Sequence, residues 1–179
     1  MPGSKAALNI IIILVFVGLV GVILPSEYRI ERSIEVDAAP GDIYPMLVDL
    51  RKWQQWSSWG QRDAAAIYSY DGPDRAIGMR VQWQSEVLGI GSIEISALQF
   101  NRKLTYSMQN VTHGIEATGE IRLEAFDNKT RVIWSSHGDV GLNIIDRYKL
   151  LTFDDKLGRD LDVGLENIKV LAENNFTAS

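Results

Sequence analysis

The 179-residue sequence contains no cysteine and only two histidines, His113 and His137. The absence of cysteine excludes disulfides, thiolate nucleophiles and zinc sites with cysteine ligands. Two histidines far apart in the sequence do not supply the three or four convergent ligands that a metal site usually needs. Nor does any serine, histidine and aspartate pattern indicate a catalytic triad or another catalytic constellation. We therefore expect neither a metal nor a cofactor.

The sequence also lacks a cluster of basic residues. It has 18 lysines and arginines against 23 aspartates and glutamates, which gives a formal net charge of −5. Nucleic-acid binding requires a basic surface that neutralises phosphates. We therefore do not expect a nucleic-acid partner.

Charged residues are almost absent from the first 25 positions, where Lys5 is the only one. The stretch Ala6–Leu24 is apolar apart from Asn9, and as a helix rising 1.5 Å per residue it would be about 28 Å long, close to the hydrocarbon thickness of a bilayer. Pro25 ends this stretch and polar residues follow at once. These features predict a transmembrane helix.

The alternative is a cleaved signal peptide, which requires small residues at the −3 and −1 positions before the cleavage site. The bulky Leu24 does not fit that requirement in the stretch VILPSE. We therefore predict a single-pass membrane anchor over residues 1–25 and a globular domain over residues 26–179. Basic residues flank the anchor on both sides, so the sequence does not set which side of the membrane the domain faces.

Alternating apolar and polar residues predict antiparallel strands after the anchor. In Glu116–Phe126, Ala117, Ile121 and Leu123 share one face, with Gly119 as a gap among them. Turn residues follow, and Thr130–His137 completes a hairpin. Five further strands are predicted, at Tyr28–Val36, Ala66–Tyr70, Met79–Ser85, Gly91–Leu98 and Arg102–Gln109.

Helical spacing occurs in two places. Pro40–Trp56 has apolar residues at helical spacing, but Pro45 interrupts the pattern, so two short or kinked pieces are expected. From about Leu150 to Asn174 one long amphipathic helix is predicted, with an apolar stripe on one side and charged residues on the other. Strands followed by a helix, without strand–helix–strand alternation, indicate an α+β fold in which helices cover one face of a curved antiparallel sheet.

Several short motifs occur in a characteristic order between residues 28 and 172. They are ERSIEVDAAPGDIY at 31–44, WQQWSSW at 53–59, RVQW at 80–83, TRVIWS at 130–135 and DVGLENIK at 162–169. This ordered set resembles the SRPBCC superfamily, which includes START domains, Bet v 1-like proteins and the polyketide cyclase/dehydrase family. Pro45 departs from the pattern, because the family usually has an ordinary helix former at this position.

The resemblance implies a helix-grip fold, in which the sheet wraps around the long C-terminal helix and an apolar pocket lies between them. Members bind lipids, sterols or polyketides, a few catalyse cyclisation or dehydration, and some bind proteins. We therefore expect a membrane-anchored domain that binds a hydrophobic small molecule or lipid. The alternatives are a cyclase or dehydratase acting in the same pocket, and a protein-interaction module of the Hsp90-activator type.

The predicted ligand-binding residues are inward-facing residues of adjacent strands and of the C-terminal helix. They are Met79, Val81, Trp83, Leu104, Tyr106, Val132, Trp134, Phe153, Leu157 and Leu161. Their alternative role is plain core, because a pocket and a filled core have the same composition.

Two further features have more than one interpretation. Trp53, Trp56 and Trp59 are predicted mainly as core, with pocket lining and membrane contact as alternatives. Arg32 lies on the apolar face of its strand, where it could pair with a substrate carboxylate or enolate. The alternatives for Arg32 are a β-bulge, an edge position or a side chain that extends to solvent.

Overall fold

The computed structural model describes residues 2–112 and 114–177, and the side chains of residues 8–112 and 114–174. His113 therefore lies outside the described residues. The helices are α1 (Pro2–Ile23), α2 (Pro40–Leu47), α3 (Trp53–Trp56), α4 (Ile144–Leu150) and α5 (Phe153–Thr177), with a 3₁₀ turn at Leu50–Lys52. The strands are β1 (Glu27–Val36), β2 (Ile67–Asp71), β3 (Arg80–Ser85), β4 (Gly89–Gln99), β5 (Lys103–Asn110), β6 (Ile115–Phe126) and β7 (Lys129–Asp139).

The seven strands form one antiparallel sheet in the order β1-β7-β6-β5-β4-β3-β2. The predicted α+β class, the antiparallel sheet and the C-terminal helix are thus confirmed. The pairing of β4 with β5 shifts register between Ile95 and Ala97. A bulge of this kind bends a strand and increases its twist, which helps the sheet to curve around a helix.

Helix α5 lies across the sheet and packs closely on β1. Its buried stripe consists of Leu161, Leu165, Ile168 and Ala172. At Gly164 the helix approaches the sheet so closely that a Cβ atom would lie 2.6 Å from Cζ3 of Trp134. This is the helix-grip arrangement that the resemblance implied.

The short helical pieces predicted for Pro40–Trp56 are present, but the break follows Leu47 and not Pro45. Helix α2 contains Pro45 and ends at Leu47, and the chain then forms the 3₁₀ turn and α3 as separate pieces. Asp49 caps the turn, because its Oδ1 accepts a hydrogen bond of 3.2 Å from the Arg51 backbone N–H. Arg75 also binds Asp49, with 3.3 Å between Nε and Oδ2, and this ties the β2–β3 connection to the helical segment.

Helix α4 is absent from the sequence prediction, in which the long helix begins near Leu150. The structure instead has α4, a break at Leu151 and Thr152, and then α5. Asn143 caps α4 by accepting a hydrogen bond of 3.1 Å from the Ile145 N–H. No residue of α4 is buried, so no amphipathic pattern toward the sheet marked it.

Helix α1 packs on α4 at its C-terminal end. Arg147 donates hydrogen bonds to the carbonyls of Val22 at 2.7 Å and Leu24 at 3.1 Å. The Tyr148 hydroxyl donates to the Val17 carbonyl at 2.7 Å. The Arg147 bond to Val22 satisfies a carbonyl that the end of a helix leaves without a partner, and the Tyr148 bond fixes α4 against the preceding turn of α1.

Among the residues that the structure describes, no helix is both long enough and apolar enough to cross a membrane. The spanning anchor predicted over residues 6–24 is therefore not supported.

Candidate functional site

A cavity of about 260 Å³ lies between the outer half of the sheet and the first two turns of α5. Its floor comes from β2, β3, β4 and β5, and its walls come from α5 and from the segment after the 3₁₀ turn. The rest of the space between the sheet and α5 is filled by buried apolar side chains, which we call the closed core. The cavity is therefore a local gap at one side of the helix grip.

Aromatic side chains dominate the cavity lining. They are Tyr28, Trp53, Trp59, Tyr68, Tyr70, Trp83 and Phe153. Aliphatic residues fill the spaces between them, among them Leu50, Val81, Ile93 and Leu157. A concave lining of this composition favours an apolar ligand.

The cavity also has a polar side, formed by Arg62, Lys156 and Asp160. Arg62 and Asp160 form an ion pair, and the Asp160 side chain is only 16% exposed. Burial raises the pKa of Asp160 above its usual value, and the nearby Arg62 charge offsets only part of that effect. Asp160 is thus a carboxyl group that holds its proton more tightly than one in water.

Replacing Asp160 with asparagine should change how stability depends on pH. A raised pKa in the folded state means that the contribution of Asp160 is fully present below the unfolded pKa, near 3.8, and is lost as the pH rises through the folded pKa. Relative to Asp160→Asn, the parent chain should therefore become less stable as the pH increases from below 3.8 toward neutrality. Denaturant unfolding of both proteins over this pH series measures the difference. A parent chain that gains stability over the variant with rising pH would contradict the prediction.

Trp83 contributes a free hydrogen-bond donor to the cavity wall. Its Nε1 atom is buried and has no hydrogen-bond partner among the described residues. A buried donor without a partner carries a desolvation cost of about 1–3 kcal/mol. A ligand whose oxygen accepts a hydrogen bond from this N–H would remove that desolvation cost.

A larger outer pocket of about 820 Å³ adjoins the cavity. It lies between the β5–β6 turn and the segment from the end of β7 through α4. Tyr28, Asn110, Ile115 and Phe153 line both spaces, and they form the boundary between them. The Tyr28 and Phe153 rings meet edge to face with centroids 4.7 Å apart, so they are the aromatic part of this boundary.

Only some of the ten predicted ligand-binding residues reach the cavity. Val81, Trp83, Phe153 and Leu157 line it. Met79, Leu104, Tyr106, Val132, Trp134 and Leu161 do not line it and instead lie in the closed core. The reason is that Trp53, Trp56 and the middle of α5 cover that part of the sheet, and a hydrogen bond of 2.9 Å from Trp134 Nε1 to the Tyr106 hydroxyl closes the space.

Sequence reasoning missed several cavity residues. Tyr68 and Tyr70 alternate with polar neighbours on β2, so their inward position was readable from the pattern. Lys156 and Asp160 were assigned to the solvent side of the long helix. They reach the cavity because the segment that contains Trp59 and Arg62 covers that flank of α5.

The three closely spaced tryptophans serve both the core and the cavity. Trp56 is fully buried and donates to the Met46 carbonyl at 3.2 Å. Trp53 and Trp59 line the cavity. All three rings pack against Trp134, with centroid distances of 6.4 Å for Trp53, 5.3 Å for Trp56 and 5.7 Å for Trp59. They form one continuous wall between the closed core and the cavity.

Arg32 does not face the cavity. Its guanidinium binds both carboxylate oxygens of Asp154 at 3.0 Å and lies 3.5 Å from Asp162, both on α5. Gly158 leaves room for this side chain, which would otherwise collide with a Cβ atom there. Two of the interpretations fit this geometry, an edge position, because β1 is an edge strand of the sheet, and a side chain that extends toward the solvent. Arg32 links β1 to α5. His137 is exposed on β7, as its position in the strand pattern predicted.

The family described as polyketide cyclase / dehydrase and lipid transport matches this sequence over residues 27–173. The chain belongs to this family. The match covers the whole sheet and nearly all of α5, so it includes every cavity residue named above. No curated protein matches the sequence.

Solved structures of other proteins share the fold at low sequence identity. Protein MLL2253 from Mesorhizobium loti is 14% identical with a TM-score of 0.60, over 82% of this chain and 98% of that one. Norcoclaurine synthase from Thalictrum flavum, as a point mutant with a transition-state analogue, is 14% identical with a TM-score of 0.59, over 83% and 96%. The di-domain ARO/CYC StfQ of the steffimycin biosynthetic pathway is 16% identical with a TM-score of 0.63, over 84% of this chain and 52% of that one. These likenesses show the fold.

Proposed function

We propose that this domain binds a hydrophobic small molecule or lipid in the aromatic cavity between the sheet and α5. The observation that carries the proposal is the cavity itself, an apolar space walled by seven aromatic side chains beside a closed core. Its volume lies just below the range of about 300–1,000 Å³ that is usual for small-molecule sites. The cavity suits a compact apolar molecule or one acyl chain, and a larger ligand would extend into the outer pocket.

The polar side of the cavity would orient such a ligand. The Trp83 N–H is available to an oxygen acceptor, while Arg62 and Lys156 offer positive charge at the α5 side. The ligand would thus have an apolar body with an oxygen-bearing group. Burial of the apolar body supplies most of the binding free energy, at about 25 cal/mol per Å² removed from water.

We also propose that α1 attaches the domain to a lipid membrane. From Ile10 to Phe16 seven consecutive apolar side chains are exposed, and seven consecutive residues cover every side of a helix. A protein partner would cover one stripe of such a helix, whereas lipid covers all of it. Attachment would place the cavity beside a supply of apolar molecules.

Filling the cavity should abolish ligand binding. Val81 and Ile93 are paired neighbours on β3 and β4 and both line the cavity, so the double variant Val81→Phe, Ile93→Phe places two rings in the empty space. We expect the parent chain to carry a stoichiometric apolar molecule and the double variant to carry none. Native mass spectrometry of the full chain, released from detergent micelles, measures both.

The control is Val163→Phe, which makes the same type of substitution once, at an exposed position of α5, and should keep the bound molecule. A folded double variant that still carries the molecule would place the binding site elsewhere. A parent chain that carries nothing, and whose melting temperature does not change with fatty acids, sterols or aromatic polyketides, would exclude binding and favour the protein-interaction module.

The second candidate function is an enzyme of the cyclase or dehydratase type that acts in the same cavity. Asp160 favours it, because a largely buried carboxyl group with a raised pKa is a suitable general acid. The same mass measurement on Asp160→Asn separates the two functions. A binding protein should carry the same molecule as the parent, whereas an enzyme that removes water should, without its acid, carry an unreacted precursor heavier by one water molecule. A cyclisation that loses no water leaves the mass unchanged, so its precursor is identified by the fragmentation pattern of the released molecule.

A further inference from the structure

One end of the domain carries most of the exposed large apolar residues outside α1. They project from the first residue of β2, the β3–β4 and β5–β6 turns and the region around α4, and we call them the apolar rim: Ile67, Val87, Ile90, Val111, Leu142, Ile145 and Leu151. Val111 is 76% exposed and Leu142 is 90% exposed. Among the described side chains, the turns at the opposite end of the sheet expose only two large apolar residues, Ile77 and Phe100.

Neighbouring contacts hold this end together. The Ile90 N–H donates to the Thr112 hydroxyl at 2.8 Å, and the Val111 N–H donates to the Ile90 carbonyl at 2.9 Å. These bonds join the β3–β4 turn to the β5–β6 turn. The β5–β6 turn and α4 then face each other across the outer pocket. The apolar rim therefore lies at the same end of the domain as the outer pocket, and Val111 of the rim lines that pocket.

Helix α1 leaves the domain at this same end. It is followed directly by β1, and its C-terminal turn is held by Arg147 and Tyr148 of α4. Gly21 permits the contact, because a Cβ atom there would lie 3.0 Å from Cε2 of Tyr148 and closer still to Ile144. One short helix thus connects the apolar helix α1 to the wall of the outer pocket.

We propose that the apolar rim rests on the surface of a lipid bilayer, so that the outer pocket opens toward the membrane. This inference rests on the proposed attachment through α1 and adds an orientation to it. Single apolar side chains at the tips of separate turns suit insertion into the region between lipid headgroups and acyl chains. A second copy of the chain or another protein would instead require one continuous apolar patch, and the exposed apolar side chains on every side of α1 favour lipid as the surface at this end.

The orientation gives the ligand a path that avoids water. An apolar molecule leaving the bilayer would pass between the β5–β6 turn and α4 into the outer pocket. It would then reach the cavity past the boundary formed by Tyr28 and Phe153. The β2–β3 connection at residues 71–76 lies at the opposite end of the sheet and is not on this path.

The chain has no cysteine, so a single introduced cysteine can carry a fluorescent dye at one chosen position. We would label Val111→Cys and Leu142→Cys in the apolar rim, Leu14→Cys in α1, and Phe100→Cys as the matched control, 81% exposed at the opposite end. Each labelled full-length chain is reconstituted into phosphatidylcholine vesicles, with and without a nitroxide quencher on the acyl chains. We expect loss of fluorescence at Leu14, Val111 and Leu142, and no loss at Phe100.

The outcomes separate this inference from the attachment on which it rests. Quenching at Leu14 without quenching at Val111 and Leu142 would overturn the orientation and leave the attachment intact. Equal quenching at Phe100 and the rim would also overturn the orientation. An unquenched Leu14 would show that α1 is not in the bilayer and would overturn both.

Discussion

Replacing Trp134 with alanine is expected to lower the free energy of unfolding by about 3–5 kcal/mol, the range for removing a large side chain from a closed core. Trp134 is fully buried and is surrounded by Trp53, Trp56 and Trp59. It also donates the hydrogen bond to the Tyr106 hydroxyl. The substitution would leave a cavity among three indoles and a buried hydroxyl without its donor. Denaturant unfolding of the full chain in non-ionic detergent, followed by near-ultraviolet circular dichroism, measures the loss.

The matched control is Trp83→Ala, the same substitution at the wall of the cavity. Trp83 is only partly buried, and its Nε1 has no partner among the described residues to leave behind. We expect a clearly smaller loss of stability than for Trp134→Ala. Equal losses would mean that the space beside Trp83 is as closely packed as the core around Trp134, and the cavity would then be in doubt.

The substitution Gly119→Ala should also destabilise the domain, by about 3 kcal/mol, at the upper end of the usual cost of overpacking a core. Gly119 on β6 pairs directly with Tyr106 on β5. The Tyr106 ring lies over the glycine, and a Cβ atom would collide with it. Tyr106 cannot move away, because it is buried and holds the hydrogen bond from Trp134.

Gly41→Ala is the matched control for this prediction. Gly41 lies in α2, and the nearest contact of an added Cβ would be the Asn101 side chain at 3.6 Å, an ordinary van der Waals distance. Alanine is favoured over glycine within helices by about 1 kcal/mol, so this variant should be neutral or slightly more stable. Thermal unfolding of both variants tests the pair. A tolerated Gly119→Ala would show that Tyr106 can be repacked.

Trp134 and Gly119 both lie in the closed core, which is separate from the cavity. Trp134, Tyr106 and Gly119 form a tightly packed layer under the middle of α5. The cavity begins where that layer ends, on the far side of Trp53 and Trp59. The aromatic wall between them confines the empty space to one side of the domain, so only the side chains that line the cavity lose packing contacts.

Helix α4 shows that a helix can depend on contacts with residues that are distant in sequence. Its residues have no buried side toward the sheet, so their sequence shows no stripe that marks a core-facing helix. They form a helix capped by Asn143 and held against α1. Arg32 is a second example. Its position on an apolar face is explained by its ion pairs with Asp154 and Asp162, which are distant in sequence.

The sequence by itself determined the seven strands, the division of residues 40–56 into short helical pieces, the long amphipathic helix and the α+β class. Each of these follows from local periodicity or from the restricted backbone of proline. The tertiary structure alone decided which inward residues line a cavity. Val81 and Trp83 reach it while Val132 and Trp134 do not, although all four are apolar residues of strands. The physical reason is that a pocket and a core are built from the same side chains, and they differ only in how closely α5 and the tryptophan segment approach each part of the sheet.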